Sequence, residues 1–169
     1  STNVNNFEYQ SFDYILNNGL KNNFNLLIKN VNSDGHNSTV NRNDVSNKLL
    51  GSLIMESSYP LKKLGPKFNS FLEPIVSLRY SPTETKNISN SDRRIDINNI
   101  FSTNRISDNN TIEGGESITI GNTYRLTDIN NDHEYLSLGL ASVFRSKENN
   151  DLPIKSTIGK KSSDIVGNA

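Results

Sequence analysis

Cysteine is absent from the 169 residues, which excludes disulfides and thiolate metal sites within them. Net charge is absent too, since 18 basic and 18 acidic side chains cancel to +0. A nucleic-acid binder carries a basic excess that displaces counterions from phosphates, so that class is excluded. Hydrophobic residues make up only 33% of the chain. No stretch approaches the roughly 20 consecutive apolar residues of a membrane helix. Hydropathy leaves a transmembrane β-strand open, because such a strand takes about ten residues with only alternate ones apolar.

Chemistry-bearing residues are equally sparse. The 2 histidines, His36 and His133, fall in polar turn segments. Asp132-His133-Glu134 places carboxylates beside a general base in sequence only, since adjacent residues on a strand or turn point in different directions. No serine–histidine dyad can be assembled from a motif, and no enzyme activity or cofactor is expected. Asp128, Asn130 and Asp132 match the first ligand positions of a helix-flanked calcium loop. His133 then stands where glycine is needed and Gly139 where the bidentate glutamate belongs, so the pattern fails.

What is present is alternation with a period of two, the mark of strands with one apolar face. Phe24, Leu26 and Ile28 alternate with Asn23, Asn25 and Lys29. Leu49, Leu53, Met55 and Tyr59 oppose Leu50, Ser52, Ile54 and Glu56. Phe68, Leu72, Pro74, Val76, Leu78 and Tyr80 oppose Asn69, Glu73, Ser77 and Arg79. Ile118, Ile120, Tyr124 and Leu126 oppose Thr119, Gly121, Thr123 and Arg125. Leu136, Leu138, Leu140 and Phe144 oppose Ser137, Gly139, Ala141 and Arg145. Phe7 to Leu16 switches parity near Ser11, which predicts a bulge. Asn17-Asn18-Gly19, Asn130-Asn131-Asp132 and Asn149-Asn150-Asp151 are turn clusters. Longer polar loops run over 32–47, 82–114 and 149–162.

The polar faces carry Gly, Ser and Thr with Arg79, Arg125 and Arg145 near strand ends, where a water-washed sheet more often carries Lys and Glu. Tyr59, Tyr80, Tyr124 and Tyr135 also sit near strand ends, where an aromatic girdle would lie. Pro74 has no N–H to donate, so it belongs at a bulge, an edge or a break in strand pairing. Glu113 and Glu116 flank the Gly114-Gly115 doublet. Either can pair with Arg94 or Arg105, as exposed ion pairs of small effect. Asp92, Arg93, Arg94 and Asp96 read as a solvated loop.

One segment is more specific. FSTNRISDNNTIEGGESITIGNTYRL, Phe101 to Leu126, joins an Asn104-Arg105 pair and the acidic Asp108 and Glu113 to a glycine doublet and then a strand. It resembles the barrel domain of the LptD family, outer-membrane proteins that assemble lipopolysaccharide at the cell surface. FLEPIVSLRYSP (Phe71 to Pro82) is similar to the family's strand ending in Tyr-x-Pro. Leu136 to Gly167 is similar to its next hairpin, with Arg145 after the aromatic and Ser163-Asp164 opening a further strand.

The resemblance implies an all-β fold, an antiparallel transmembrane β-barrel represented by about six to eight strands with long polar loops. It marks Asn104, Arg105, Asp108, Glu113, Gly114, Gly115, Tyr124, Arg145, Ser163 and Asp164 as motif residues, and places the 82–114 loop in the barrel mouth. Residues 1–169 are then expected to be an interior piece of the barrel, which would have an apolar exterior and a hydrated interior. The implied partners are lipopolysaccharide, outer-membrane lipids, an LptE-like plug lipoprotein and a periplasmic transport bridge reached through an N-terminal domain. The implied location is the outer membrane of a Gram-negative bacterium. A soluble β-sandwich adhesin module and another outer-membrane channel are the alternatives. The sandwich requires its apolar faces to be covered by a second sheet.

Overall fold

The computed structural model describes residues 2–34 and 46–169, and His36 lies outside the described residues. They form nine strands in chain order: β1 (Thr2–Gln10), β2 (Tyr14–Ile15), β3 (Lys21–Ser33), β4 (Ser46–Ser58), β5 (Leu61–Lys63), β6 (Phe68–Ser81), β7 (Gly115–Asp128), β8 (Glu134–Arg145) and β9 (Val166–Asn168). All belong to one antiparallel sheet in the order β1-β3-β4-β6-β7-β8-β9, with β2 paired to β3 and β5 to β6. The sheet is a meander, open at β1 and β9. Its short connections gather at one end. The long ones, after Ser81 and after Arg145, leave from the other.

Register aligns the alternating pattern across the sheet, because directly paired residues share a face. Phe24 pairs with Met55, Met55 with Leu78, Leu78 with Ile118 and Ile118 with Phe144. One residue away on each strand, Glu56, Ser77, Thr119 and Val143 form a row on the opposite face. The expected apolar sets therefore fuse into one continuous surface. It is bare: Leu49 is 73% exposed, Ile120 51% and Leu140 59%. A one-residue slip anywhere would exchange the faces, so this agreement fixes the register.

Near Ser11 the register against β3 shifts by one residue, as the parity switch predicts, with the strand interrupted there. Ser11 N–H donates to Phe24 O at 2.9 Å, and residues 11–13 separate β1 from β2 while both pair with β3.

The core lies on the face that the pattern marks as polar. Ile95, Ile100 and Ile106 from the 82–114 loop and Leu152 and Ile158 from the segment after β8 pack on Ala141 and Val143. Ile112 seals a second cluster with Leu27, Val31 and Leu50. The expectation of a hydrated face is thus corrected over β6 to β8, where small side chains leave room for the loop's isoleucines. Gly121 shows how close the fit is. A Cβ there would stand 2.6 Å from Phe101 Cζ and 3.1 Å from Ala141 Cβ.

Gly121→Val is accordingly expected to lift Phe101 and unseat the loop, at about 1–3 kcal/mol of overpacking. Limited trypsin digestion checks this. Cleavage at Arg94 should accelerate in the variant while the strands stay intact, and an unchanged cleavage rate would contradict the packing.

Candidate functional site

The loop is held down by charge as well as by isoleucines. Its two ends lie side by side: Lys86 N–H donates to Thr111 Oγ1 at 2.8 Å, and Gly114 N–H donates to Thr85 Oγ1 at 2.8 Å. Any side chain at Gly114 would collide with the Thr83 carbonyl, and Gly115 turns into β7 with φ of 87°. Both positions therefore require glycine. This geometry delivers Glu113 to the sheet surface beside the starts of β7 and the end of β8.

Glu113 meets two guanidinium groups there. Arg105 donates from Nε to Glu113 Oε2 at 2.5 Å and from Nη2 to Oε1, a bidentate fork, and the side chains of both residues are 1% exposed. Arg145, at the end of β8, donates to Glu113 Oε1 and to the Gly114 carbonyl. Arg105 also reaches down to β7, to Ser117 Oγ at 2.8 Å and Thr119 Oγ1 at 2.9 Å. The exposed, weak pair expected from the sequence is instead a buried, bidentate and shared one, the geometry in which such pairs are strong.

Arg79 completes the cluster from β6. Its guanidinium donates to Ser52 Oγ at 3.1 Å and to the Thr103 carbonyl at 2.8 Å, and it also binds the Ser102 carbonyl. Three buried arginines thus surround one carboxylate. Burial by itself raises the Glu113 pKa. The charge and hydrogen bonds of Arg105, with the charges of Arg79 and Arg145, outweigh that and hold it at about 2.

The other motif residues support the same loop or lie elsewhere. Asn104 Nδ2 donates to the Asp108 carbonyl at 3.2 Å, while Asn104 Oδ1 is buried without a partner among the described residues. Asp108 pairs with Arg93 at 3.2 Å and its carbonyl accepts from Lys29 Nζ at 2.5 Å, tying the loop to β3. Asp92, read as solvated, is exposed and pairs with Lys155 at 2.8 Å. Ser163 Oγ accepts from Val143 N–H at 2.9 Å, and Asp164 N–H donates to Thr157 Oγ1 at 2.9 Å, docking the segment before β9. Tyr124 is apart from the cluster, on the bare face near the short-turn end.

Pro74 sits where β4 stops pairing with β6, at Ser58↔Ile75, so its missing donor falls in the gap before β5. The β6–β7 ladder runs past it from Phe68↔Asp128 to Ser81↔Gly115. Ser117, Thr119, Ser52 and Lys29 were not singled out by the motifs. They carry no pattern beyond their place on the polar face.

Glu113→Ala leaves three buried guanidinium groups without a counter-charge, and about 3–5 kcal/mol of stability should be lost. Protease protection of residues 82–114 reads this directly. Because the carboxyl pKa falls from 4.5 to about 2 on folding, the stability it contributes is complete above 4.5 and disappears as pH drops through 2. Pepsin should therefore spare the loop near pH 4 and cut it near pH 2. Cutting that is equally fast at both would contradict the buried ionised state.

No group of acidic or histidine side chains suited to a metal ion occurs among the described residues, nor does any helix long and apolar enough to cross a membrane. None of the curated proteins matches the chain. The profile of the family described as LPS transport system D matches residues 9–169, which spans the loop, the arginine cluster and the strands from β2 to β9. A profile covering that much of the chain, on an antiparallel all-β sheet of this pattern, places the protein in the LptD family of lipopolysaccharide transport proteins.

Proposed function

We propose that residues 1–169 are an interior section of an outer-membrane β-barrel that delivers lipopolysaccharide to the surface of a Gram-negative cell. Its role is transport and assembly, not catalysis. The observation that carries this reading is the inversion of the sheet. Its continuous apolar face is bare, while its polar face is covered by loops that bury arginines. A water-soluble sandwich would cover the apolar face with a second sheet, and the described residues form a single one. In a barrel the bare face meets lipid and the loop-covered face lines the lumen.

Dimensions support the same reading. Tyr80 and Tyr124, which pairs with Leu72, lie eight residues apart along β6 on the bare face. That is about 26 Å along a strand, or about 20 Å across a membrane at a tilt of about 40°, near the height of an outer-membrane apolar band. Tyr135 and Phe68 pack ring to ring in a tilted pair, centroids 5.1 Å apart, at the short-turn end, as interfacial girdle residues would. The short turns then face the periplasm and the long loops the exterior.

In this reading Arg105, Glu113 and Arg145, seated by Asn104, Asp108, Gly114 and Gly115, fix the 82–114 loop inside the barrel mouth. Ser163 and Asp164 open the next strand of the wall. Lipopolysaccharide and membrane lipids are the immediate partners, with a plug lipoprotein of the LptE kind and a periplasmic bridge completing the assembly.

Ile120→Arg tests the membrane placement, because Ile120 pairs with Val76, midway between the levels of Tyr80 and Tyr124. An arginine on the lipid face near the midplane costs about 2–4 kcal/mol, so folded protein in the outer-membrane fraction should fall sharply, while Ser137→Arg on the opposite face should be tolerated. Normal assembly of Ile120→Arg would overturn the reading.

A further inference from the structure

The bare face is not evenly filled. Between β3, β4 and the end of β6 it opens into a groove of about 480 Å³, lined by Leu26, Ile28, Leu49, Leu53, Tyr80 and Pro82. Two local features make it. The β4–β6 ladder ends at Leu53↔Tyr80, and Pro82 follows the last residue of β6. Beyond that pair hydroxyls replace ladder bonds: Gly51 N–H donates to Thr83 Oγ1 at 3.1 Å, and the Gly51 carbonyl accepts from Ser81 Oγ at 2.7 Å.

The second feature is Gly51 itself. It takes the outward place between Leu49 and Leu53 on β4, paired with Ile28 on β3, and contributes no side chain. A Cβ there would meet nothing nearer than the Leu27 carbonyl oxygen, at 4.0 Å. On the other face Phe101 fills the space over Gly121, whereas the space over Gly51 is open.

The surroundings define what fits. No charged side chain lines the groove, and it is continuous with the apolar face. Immediately beyond its apolar end the outward positions turn to amides. Register sets Asn5 beside Asn30, which pairs with Leu49 at the groove's edge, and sets Asn3 beside Asn32 and Asn47. A phosphate pressed against that row would find no cation among these five side chains. An acyl chain joined to a sugar by an amide or ester bond brings hydrocarbon for the groove, with donors and acceptors for the asparagines.

We propose that the groove seats one acyl chain of a sugar-headed lipid whose head lies on the asparagine row. This lipid is a resident of the outer wall, separate from cargo crossing the lumen. The inference rests on the membrane reading above and deepens it by naming the class of lipid held. With the long loops outside, the groove opens to the outer leaflet, where lipopolysaccharide is such a lipid.

The test uses the full-length protein in detergent, with native mass spectrometry counting the lipids it retains. The probes are lipid A, the acylated disaccharide anchor of lipopolysaccharide, and phosphatidylglycerol. Gly51→Leu fills open space, and Gly51 needs no left-handed backbone, so the variant should fold. It should keep one lipid A fewer than the unaltered protein. Affinity for that lipid should drop about tenfold, the effect of losing contact with about two methylenes. Gly51→Ala, a smaller filler, should show a partial loss, and Val76→Leu, on the same face outside the groove, none. Phosphatidylglycerol should bind there roughly tenfold more weakly, and Asn47→Leu should erode that preference. An unchanged lipid A count in both Gly51 variants, or equal retention of phosphatidylglycerol, overturns the inference. Labelling of Leu140→Cys with a water-soluble maleimide in liposomes separates the two readings. If Leu140→Cys is shielded and the lipid A count is unchanged, the groove alone is wrong. If Leu140→Cys reacts freely, the membrane placement beneath it is wrong as well.

Discussion

Three buried guanidinium groups face one carboxylate beneath the 82–114 loop, two of them bonded to it, and the rest of the architecture depends on that imbalance being tolerated. Isolated buried charges are expensive. Arg79 and Arg145 are accommodated by carbonyls, from Ser102, Thr103 and Gly114, that belong to the loop itself. Arg105 comes from the loop and is satisfied by Ser117 and Thr119 on β7. Each partner therefore supplies what the other lacks. Strand arginines without the loop would be unpaired charges on the sheet, and the loop without the strands would have no fixed place. Glu113 is the point at which both halves meet.

That interlock accounts for a core built in an unusual place. A sheet that turns its apolar side chains outward has only small and polar residues left on the other face. Gly121, Ala141, Ser77 and Ser117 present little side-chain volume, and the loop's isoleucines and Phe101 fill the space above them. The family relationship to lipopolysaccharide transport gives this inversion its sense. In the proposed barrel, lipid replaces the missing cover outside, and the loop seals part of the inner surface.

Much of this was legible in the sequence, for identifiable reasons. Strand identity and facing follow from period-two alternation, and each predicted apolar set lies on the bare face, as with Leu49, Leu53 and Met55 or Leu138, Leu140 and Phe144. The turn at Asn130-Asn131-Asp132 followed from residues that accept positive φ, and Asp132 adopts 53°. The parity change near Ser11 appears as one extra residue between the β1 and β2 pairings with β3. The strength of the Arg105–Glu113 contact was hidden. Their separation in sequence says nothing of burial, and Arg145, the second partner, lies beyond two strands. Arg79 was visible as a charge on the polar face but not as part of a cluster, since its partners are backbone carbonyls that any residues supply.

The central claim is that the bare face meets lipid while the opposite face is enclosed. The most direct measurement places tryptophan at adjacent positions of β8, Leu138→Trp and Ser137→Trp, in the full-length protein reconstituted with brominated lipids. The account predicts strong quenching of the signal added at Leu138 and little at Ser137, because neighbouring residues on a strand face opposite ways. Equal quenching at both, or quenching at Ser137 alone, would contradict it.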